Sequence, residues 1–283
     1  MSGGRTLSGE QVARYGRDGF LCALPALSTA EAAACRARLE AFEASQGRSL
    51  ARIPGQLRAK THLLFPWLAD LVRHPAVLAA VADLIGPDLL VYHLTMWIKD
   101  RGDAAFVSWH QDGTYFGLEP ADRHVTAWVA LTDSTPETGC VTALPGSHRR
   151  GQLPHASRRS ADNLLSNGQV VEAEVDAADA VPLAVRAGEF SLHHTHLLHS
   201  SASNRGADRR IGVGISYIPT SVRHVGAHRL TASLVLGRDR HGHFAPEPRP
   251  RADFDAEARA VHAEACARFF AGHGSLRAEA AGA

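Results

Sequence analysis

From residue 88 onward the chain is a succession of short β-branched and aromatic runs, each closed by turn residues, and this pattern constrains the fold more than any other feature. Leu89–Lys99 is the longest run, and side chains of that kind favour a pleated, half-buried surface. Asp100-Arg101-Gly102-Asp103 is a turn. Further strands are expected at Phe106–His110, His124–Leu131, Gly139–Leu144, Val181–Val185, Glu189–His194 and Arg210–Ile218. Residues 149–170 are polar and irregular, a candidate loop or lid. Strands that follow one another without helix-length crossovers favour a β-sandwich or barrel over a parallel βαβ sheet.

Helices flank this core. Ser8 with Gln11, and Ser28 with Glu31, have capping-box spacing and open helices over Glu10–Asp18 and from Ser28 to about Ser45. Gly19 stops the first, and Phe20–Leu24 reads as a short apolar strand between them. Gln46–Gly55 is polar and loop-like, and Lys60–Phe65 is ambiguous between strand and loop. Pro75–Ile85 is a helix with proline in its first turn and Gly86 at its stop. The Pro- and Arg-rich stretch Pro246–Arg251 leads to a C-terminal helix from Asp253 to about Phe270. No interior linker separates two plausible cores. One domain is expected over 1–283: a helical part (1–87), a strand-rich core (about 88–220) and a C-terminal extension with a helix (221–283).

Lys+Arg 30 against Asp+Glu 29 gives a net charge of +1, so no basic field points to nucleic acid or an acidic membrane surface. No apolar run approaches the roughly 18 residues of a membrane span, and Met1–Arg5 lacks a signal-peptide segment. Cys22, Cys35, Cys140 and Cys266 lack CxxC spacing and read as reduced thiols. A cytoplasmic protein acting on a small molecule is expected, with no nucleic-acid or membrane partner and an oligomeric state left open. Histidine is the outlier, at 17 residues.

Two of those histidines sit in a pattern that can hold a metal. His110 and Asp112 are two apart at a strand end, so both side chains can point the same way. With one more imidazole they supply the ligand types of a non-haem Fe(II) facial triad, which leaves coordination positions open. An H-x-D pair among many histidines is weak by itself and is equally a strand-end histidine before a turn-capping aspartate. Downstream, His193, His194, His196 and His199 compete for the third place, and spacing does not choose between them. The turn-forming segment Ser200–Gly206 favours His199, because it would return the strand Arg210–Ile218 beside it and bring Arg210 near the metal. A guanidinium fork there would match a carboxylate. The plainer reading of Arg209 and Arg210 is a solvated basic pair at a strand start.

Several stretches together resemble the phytanoyl-CoA hydroxylase family of Fe(II)/2-oxoglutarate oxygenases. They are Trp109–Tyr115, Thr126–Leu131, Gly139-Cys140 with Pro145-Gly146-Ser147-His148, and Gly188-Glu189 through His199–Asn204 to Arg209-Arg210. Their order and spacing match over roughly residues 10–220. The resemblance implies a mainly β fold with flanking helices, built on a double-stranded β-helix (jelly-roll, cupin-like) core. It implies Fe(II), with 2-oxoglutarate and O2 as cosubstrates, and release of succinate and CO2 as a C–H bond is oxidised. It assigns His110, Asp112 and His199 as iron ligands, and Arg210, with Ser201, to the far carboxylate of 2-oxoglutarate. It adds Lys60, Gln111 and Trp128 to the cosubstrate site, and makes His148 structural. Because Asp112 is present, hydroxylation is implied over halogenation. Tyr115, Phe116, His193 and Arg223 are the candidates for the substrate side. Beyond Ile218 no part of the chain aligns. Two other classes stand beside this one: a metal-dependent jelly-roll enzyme that does not use 2-oxoglutarate and would not need Arg210, and a non-catalytic binding protein on the same scaffold.

Overall fold

Both capping boxes form. Ser8 Oγ accepts from Gln11 N at 3.1 Å while Gln11 Oε1 accepts from Ser8 N at 2.8 Å, and Ser28 and Glu31 exchange the same bonds at 3.2 and 2.7 Å. These reciprocal bonds satisfy amide groups that a helix start would otherwise leave open. They open α1 (Gly9–Asp18) and α2 (Thr29–Ser45), with β1 (Phe20–Pro25) between them. The computed structural model describes residues 6–52, 55–114, 116–165 and 167–282.

Pro66 and Pro75 each stand in a first helical turn, opening α3 (Pro66–Leu71) and α4 (Pro75–Ile85). The α3 segment carries no helical expectation in the sequence. Lys60–Phe65, ambiguous there, contains a 3-10 turn at Thr61–Leu63. Next come β2 (Leu89–Lys99), β3 (Val107–His110), β4 (Leu118–Glu119), β5 (Val125–Ala130) and β6 (Val141–Ala143). The polar segment 149–170 is partly paired, as β7 (His155–Ser157) and the start of β8 (Gln169–Val171) form a two-stranded ladder. The remaining elements are β9 (Val181–Leu183), β10 (Glu189–His194), β11 (His199–Ser201), β12 (Arg210–Pro219), β13 (Arg223–His224), β14 (Thr231–Leu236), β15 (Ala245–Pro246) and α5 (Ala256–Gly282).

One sheet has the order β1-β10-β5-β12-β2-β14-β15 and a second the order β3-β11-β6-β9. In sequence the core chain passes back and forth between them: β2, β3, β5, β6, then β9, β10, β11, β12. That alternation makes a double-stranded β-helix, the expected jelly roll with flanking helices. The sheets face each other across a cluster that includes Trp128 and Ala130 from the first, and Val141, Ala143 and Leu183 from the second. The other face of the first sheet is covered by the helices, through Leu39, Trp67, Leu68, Val77 and Val81.

Strand alternation decides which residues face the interior. On β12, Ile211, Val213 and Ile215 enter the helix-side core, which leaves Arg210, Gly212 and Gly214 facing the second sheet. On β2, Leu89 and Val91 belong to the helix-side core, but so do Leu94, Met96 and Ile98. The parity changes because the pairing with β12 slips there: Ser216 faces His93 while Tyr217 faces Val91, so Tyr92 is an extra, bulged residue. After the bulge His93, Thr95, Trp97 and Lys99 share the inner face.

The chain after Ile218, unaligned in the sequence, completes this sheet. β14 pairs with β2, and α5 runs to Gly282 rather than ending near Phe270. Phe269 packs with Tyr92, Leu230 and Phe244. Among the described residues no helix is long and apolar enough to cross a membrane.

A buried ion pair ties the extension to the segment before α3. Lys60 Nζ lies 2.6 Å from Glu247 Oε1, and both side chains are 1% exposed. Glu247 also accepts from Thr231 and Ser233, each at 2.7 Å. Burial by itself raises the Glu247 carboxyl, but Lys60 and His62 outweigh it and hold it below the usual carboxylate range. Glu247→Gln strands the Lys60 charge, and losing one partner of a buried pair costs about 3–5 kcal/mol. A clear drop in the urea midpoint is expected. Since the folded carboxyl lies below its unfolded value of about 4.3, the contribution is complete above that pH and fades as pH falls towards the folded value. The gap between variant and wild type should narrow in acid, and a constant gap would count against the charge term.

Candidate active site

Pairing of β3 with β11 sets His199 directly opposite His110. Asp112 follows β3 by two residues, and the three side chains offer ligand atoms that all lie within 4.8 Å of one another. His110 Nε2 and His199 Nε2 are each 3.5 Å from Asp112 Oδ1. The opposite ring nitrogens are committed elsewhere: His110 Nδ1–H donates to the Ser108 carbonyl, and His199 Nδ1–H to the Leu197 carbonyl, both at 2.9 Å. Those bonds fix the tautomer that leaves both Nε2 lone pairs free. Thr126 Oγ1 donates to Asp112 Oδ2 at 2.6 Å and orients the carboxylate.

The protonation states suit a divalent cation. Burial, then the neighbouring His110, lowers the His199 imidazole to about 4. Burial alone would raise the Asp112 carboxyl, but His199 and His110 hold it well below its ordinary range. The His110 and His199 imidazoles and the Asp112 carboxylate therefore meet at one point and leave the far side of an ion open. Of the competing histidines, His193 is committed to Ser191 Oγ at 2.8 Å and His194 Nδ1 to the amide of His196 at 3.1 Å, and His196, whose Nε2 has no partner, does not join the ligand group.

A small cavity of about 40 Å3 opens beside the triad and is lined by Trp128, Val141, Ser201 and Arg210 among others. Arg210 is 1% exposed, yet its Nε and Nη2 have no hydrogen-bond partner. Burial lowers its guanidinium to about 10, and the Trp128 ring lies 5.3 Å from Arg210 Cζ. An unpaired buried cation is costly, so the site is built for an anion. Gly212 makes room: a Cβ there would lie 1.9 Å from the Trp128 ring. Across the β2–β12 pair, Lys99 is the register partner of Arg210. Its Nζ donates to Ser201 Oγ at 2.7 Å, which leaves the hydroxyl hydrogen free to donate into the cavity. Burial, then Arg210, lowers the Lys99 ammonium to about 6. Triad and guanidinium line one space, so a metal and an anion could sit in it together.

A larger cavity of about 330 Å3 also reaches His110 and Asp112, with Arg58, His93, Thr95 and Trp97 in its wall. Phe116 lies in it, as do Phe269, Phe270 and His273 of α5. Other expected residues fall elsewhere. Lys60 donates to Tyr92 O, Thr231 O and Glu247, so its ammonium is fully used and lines neither cavity. Gln111 bonds Gly151 O, His196 O, Gln152 and Leu153 N, fastening the loop after β6 instead of facing cosubstrate. His193 lines the smaller cavity, not the substrate side. Arg223 is exposed and pairs with Glu119. Tyr115 lies outside the described residues. Sequence reasoning missed Lys99, Arg58, His93 and the α5 residues. Counting by twos along β2 would have found Lys99, whereas nothing local points to the others.

The arrangement is that of an Fe(II)- and 2-oxoglutarate-dependent dioxygenase. Its family is narrower still: residues 15–212 match the phytanoyl-CoA dioxygenase (PhyH) profile, and the chain belongs to that family. An L-proline trans-4-hydroxylase of Streptomyces griseoviridis is 27% identical over 246 residues, 80% of this chain and 91% of that protein. Among solved structures, the non-heme monooxygenase ThoJ in its apo form matches with TM-score 0.82 at 35% identity, covering 95% of this chain and 99% of the other. The non-heme alpha ketoglutarate dependent carbocyclase SnoK, from nogalamycin biosynthesis, matches with TM-score 0.63 at 26% identity, covering 89% and 98%.

Thr126→Val tests the support beneath the triad. It removes the hydrogen bond to Asp112 at nearly constant volume, and losses of this kind cost about 10–100-fold in metal affinity. Calorimetric titration with Ni(II) should show a loss in that range with an unchanged fold, and wild-type affinity would mean that Asp112 is positioned without Thr126.

Proposed function

We propose that this protein hydroxylates, or otherwise oxidises at a C–H bond, a small-molecule metabolite or biosynthetic intermediate, with conversion of 2-oxoglutarate to succinate and CO2. The observation that carries this reading is the unpartnered, buried guanidinium of Arg210 in a cavity that His110, Asp112 and His199 also line. A jelly-roll metal enzyme that takes no second acid has no use for that charge, and a binding scaffold has no use for an open-sided triad.

Bound iron with its cosubstrates supplies the oxidising chemistry; the protein supplies position and dryness. His110, Asp112 and His199 would hold the ion on one face. Arg210 would take the far carboxylate of the diacid, with the Ser201 hydroxyl beside it and Trp128 packed on the guanidinium. Lys99 holds Ser201 in place. The substrate would enter from the larger cavity, whose Phe116 and Phe269 walls exclude water. At about 330 Å3 that cavity is at the low end of small-molecule sites, suited to a metabolite-sized body. Asp112 keeps a protein carboxylate where an exogenous halide would otherwise bind, which supports hydroxylation over halogenation.

Arg210→Met separates the classes. Loss of a buried charge-assisted pair is worth about 2–5 kcal/mol, so 2-oxoglutarate affinity should fall by at least about 30-fold with metal affinity retained. Anaerobic titration followed by the visible iron–2-oxo acid absorption band would measure it. Asp112→Ala should abolish succinate release. Unchanged cosubstrate affinity in the arginine variant would point to an enzyme that does not use 2-oxoglutarate.

A further inference from the structure

We propose that the larger cavity is a subsite for a carboxylate-bearing substrate and that Arg58 is the residue that binds the carboxylate. This rests on the oxygenase reading only in taking the triad side of the cavity as the place of reaction. Arg58 ends a 3-10 turn (Gly55–Arg58) and lines the cavity. Its Nε and Nη1 are buried and have no hydrogen-bond partner. Among the described lining residues Asp112 is the one carboxylate, and it belongs to the triad. Arg58 therefore carries a positive charge that nothing in the cavity wall neutralises.

Other polar atoms of the wall wait in the same way. His93 Nδ1, His273 Nε2 and Gln169 Oε1 are buried without partners, and all three residues line the same space. Buried polar groups are ordinarily paired, so a group of orphans around one cavity marks a ligand that completes them. Between them stand apolar walls from Phe116, Leu164, Leu165, Phe269 and Phe270. The ligand these surfaces describe has a carboxylate, an apolar body and one or two further hydrogen-bonding groups. Its reacting carbon would lie towards His110 and Asp112.

The backbone around Arg58 is held independently of any ligand. Ala59 forms an antiparallel bridge with Thr95, and its carbonyl accepts from His262 Nε2 of α5 at 2.8 Å. Lys60 is locked by Glu247 and donates its amide to Leu94 O at 2.7 Å. A rigid turn that presents a free guanidinium is preorganised for binding, since the ordering cost is met on folding. Because that guanidinium supports no protein group, its removal should leave the fold intact.

The test uses the full chain with Ni(II) and saturating 2-oxoglutarate, so that Arg210 is occupied. The arginine Nε–H resonance of Arg58, assigned by its absence in Arg58→Met, is followed while acetate, 3-phenylpropionate and 3-phenylpropanamide are added. Both carboxylates should shift it saturably, and 3-phenylpropionate should bind at least tenfold more tightly than its neutral amide. Arg58→Met should abolish that preference, with 2-oxoglutarate affinity unchanged and a thermal midpoint no lower than that of wild type. No response at Arg58 to either carboxylate, equal binding of acid and amide, or a preference that survives in Arg58→Met would each overturn the proposal. A fall in thermal midpoint would do so as well, by revealing a structural role. Failure of 2-oxoglutarate to depend on Arg210 would instead sink the oxygenase reading, and the Arg58 resonance would report separately.

Discussion

The pairing of β12 with β2 is the interaction on which the interior depends. Ten register partners run from Arg210 opposite Lys99 to Pro219 opposite Leu89. Each strand gives alternate residues to the helix-side core and the rest to the space between the sheets. The apolar set, Leu94, Met96 and Ile98 with Ile211, Val213 and Ile215, anchors the strands by burial. Anchoring fixes the register, because a slip by one residue would exchange the faces. The polar set is then placed without further effort: Lys99 beneath Ser201, Arg210 in the smaller cavity. The bulge at Tyr92 is part of the same device. Without it the residues before and after would alternate in phase, and His93 would face the helices instead of the larger cavity.

Charge is handled in two opposite ways in this interior. Lys60 and Glu247 are both buried and satisfy each other, together with Thr231, Ser233, Tyr92 O and His62. Arg209 is similarly matched, by Glu43 and Asp100. Arg210 and Arg58 are not. Both unpaired guanidinium groups open into cavities that touch the triad, and the paired ones do not. Desolvating a cation without a counter-charge opposes folding, so the apolar cluster around β2 and β12 has to carry the cost. Neighbouring arginines in the sequence thus have unrelated roles. Alternation sends Arg209 outward to α2 and Arg210 inward.

Much of this was legible before any coordinates. Alternation and turn residues gave most strands of the core nearly to their ends, but not β11, whose Ser200 and Ser201 read as turn residues, and capping spacing gave α1 and α2. His110 and Asp112 were visible because an i, i+2 pair on an extended segment has a short-range signature. His199 needed a tertiary fact, its pairing with His110, although the turn-rich segment after it pointed the right way. Lys60 misled because similarity of position in sequence says nothing about a partner 187 residues away. Gln111 misled differently: it adjoins the ligands, but it faces away from His110 and Asp112, so its amide goes to the loop. Arg58 and the α5 residues had no local pattern at all. What unites them is a cavity, and a cavity is a property of packing between distant segments.

Trp97 shows why the two cavities should be treated as one system. It lines both, as do His110 and Asp112. Its indole packs over Gly214, where a Cβ would lie 2.6 Å from Nε1, so the ring's position is set by the absence of a side chain on β12. The same strand holds Arg210 and, through Gly212, admits Trp128. One strand therefore shapes the smaller cavity through Trp128 and places the ring that lines both. A ring packed this closely against the strand has little room to move.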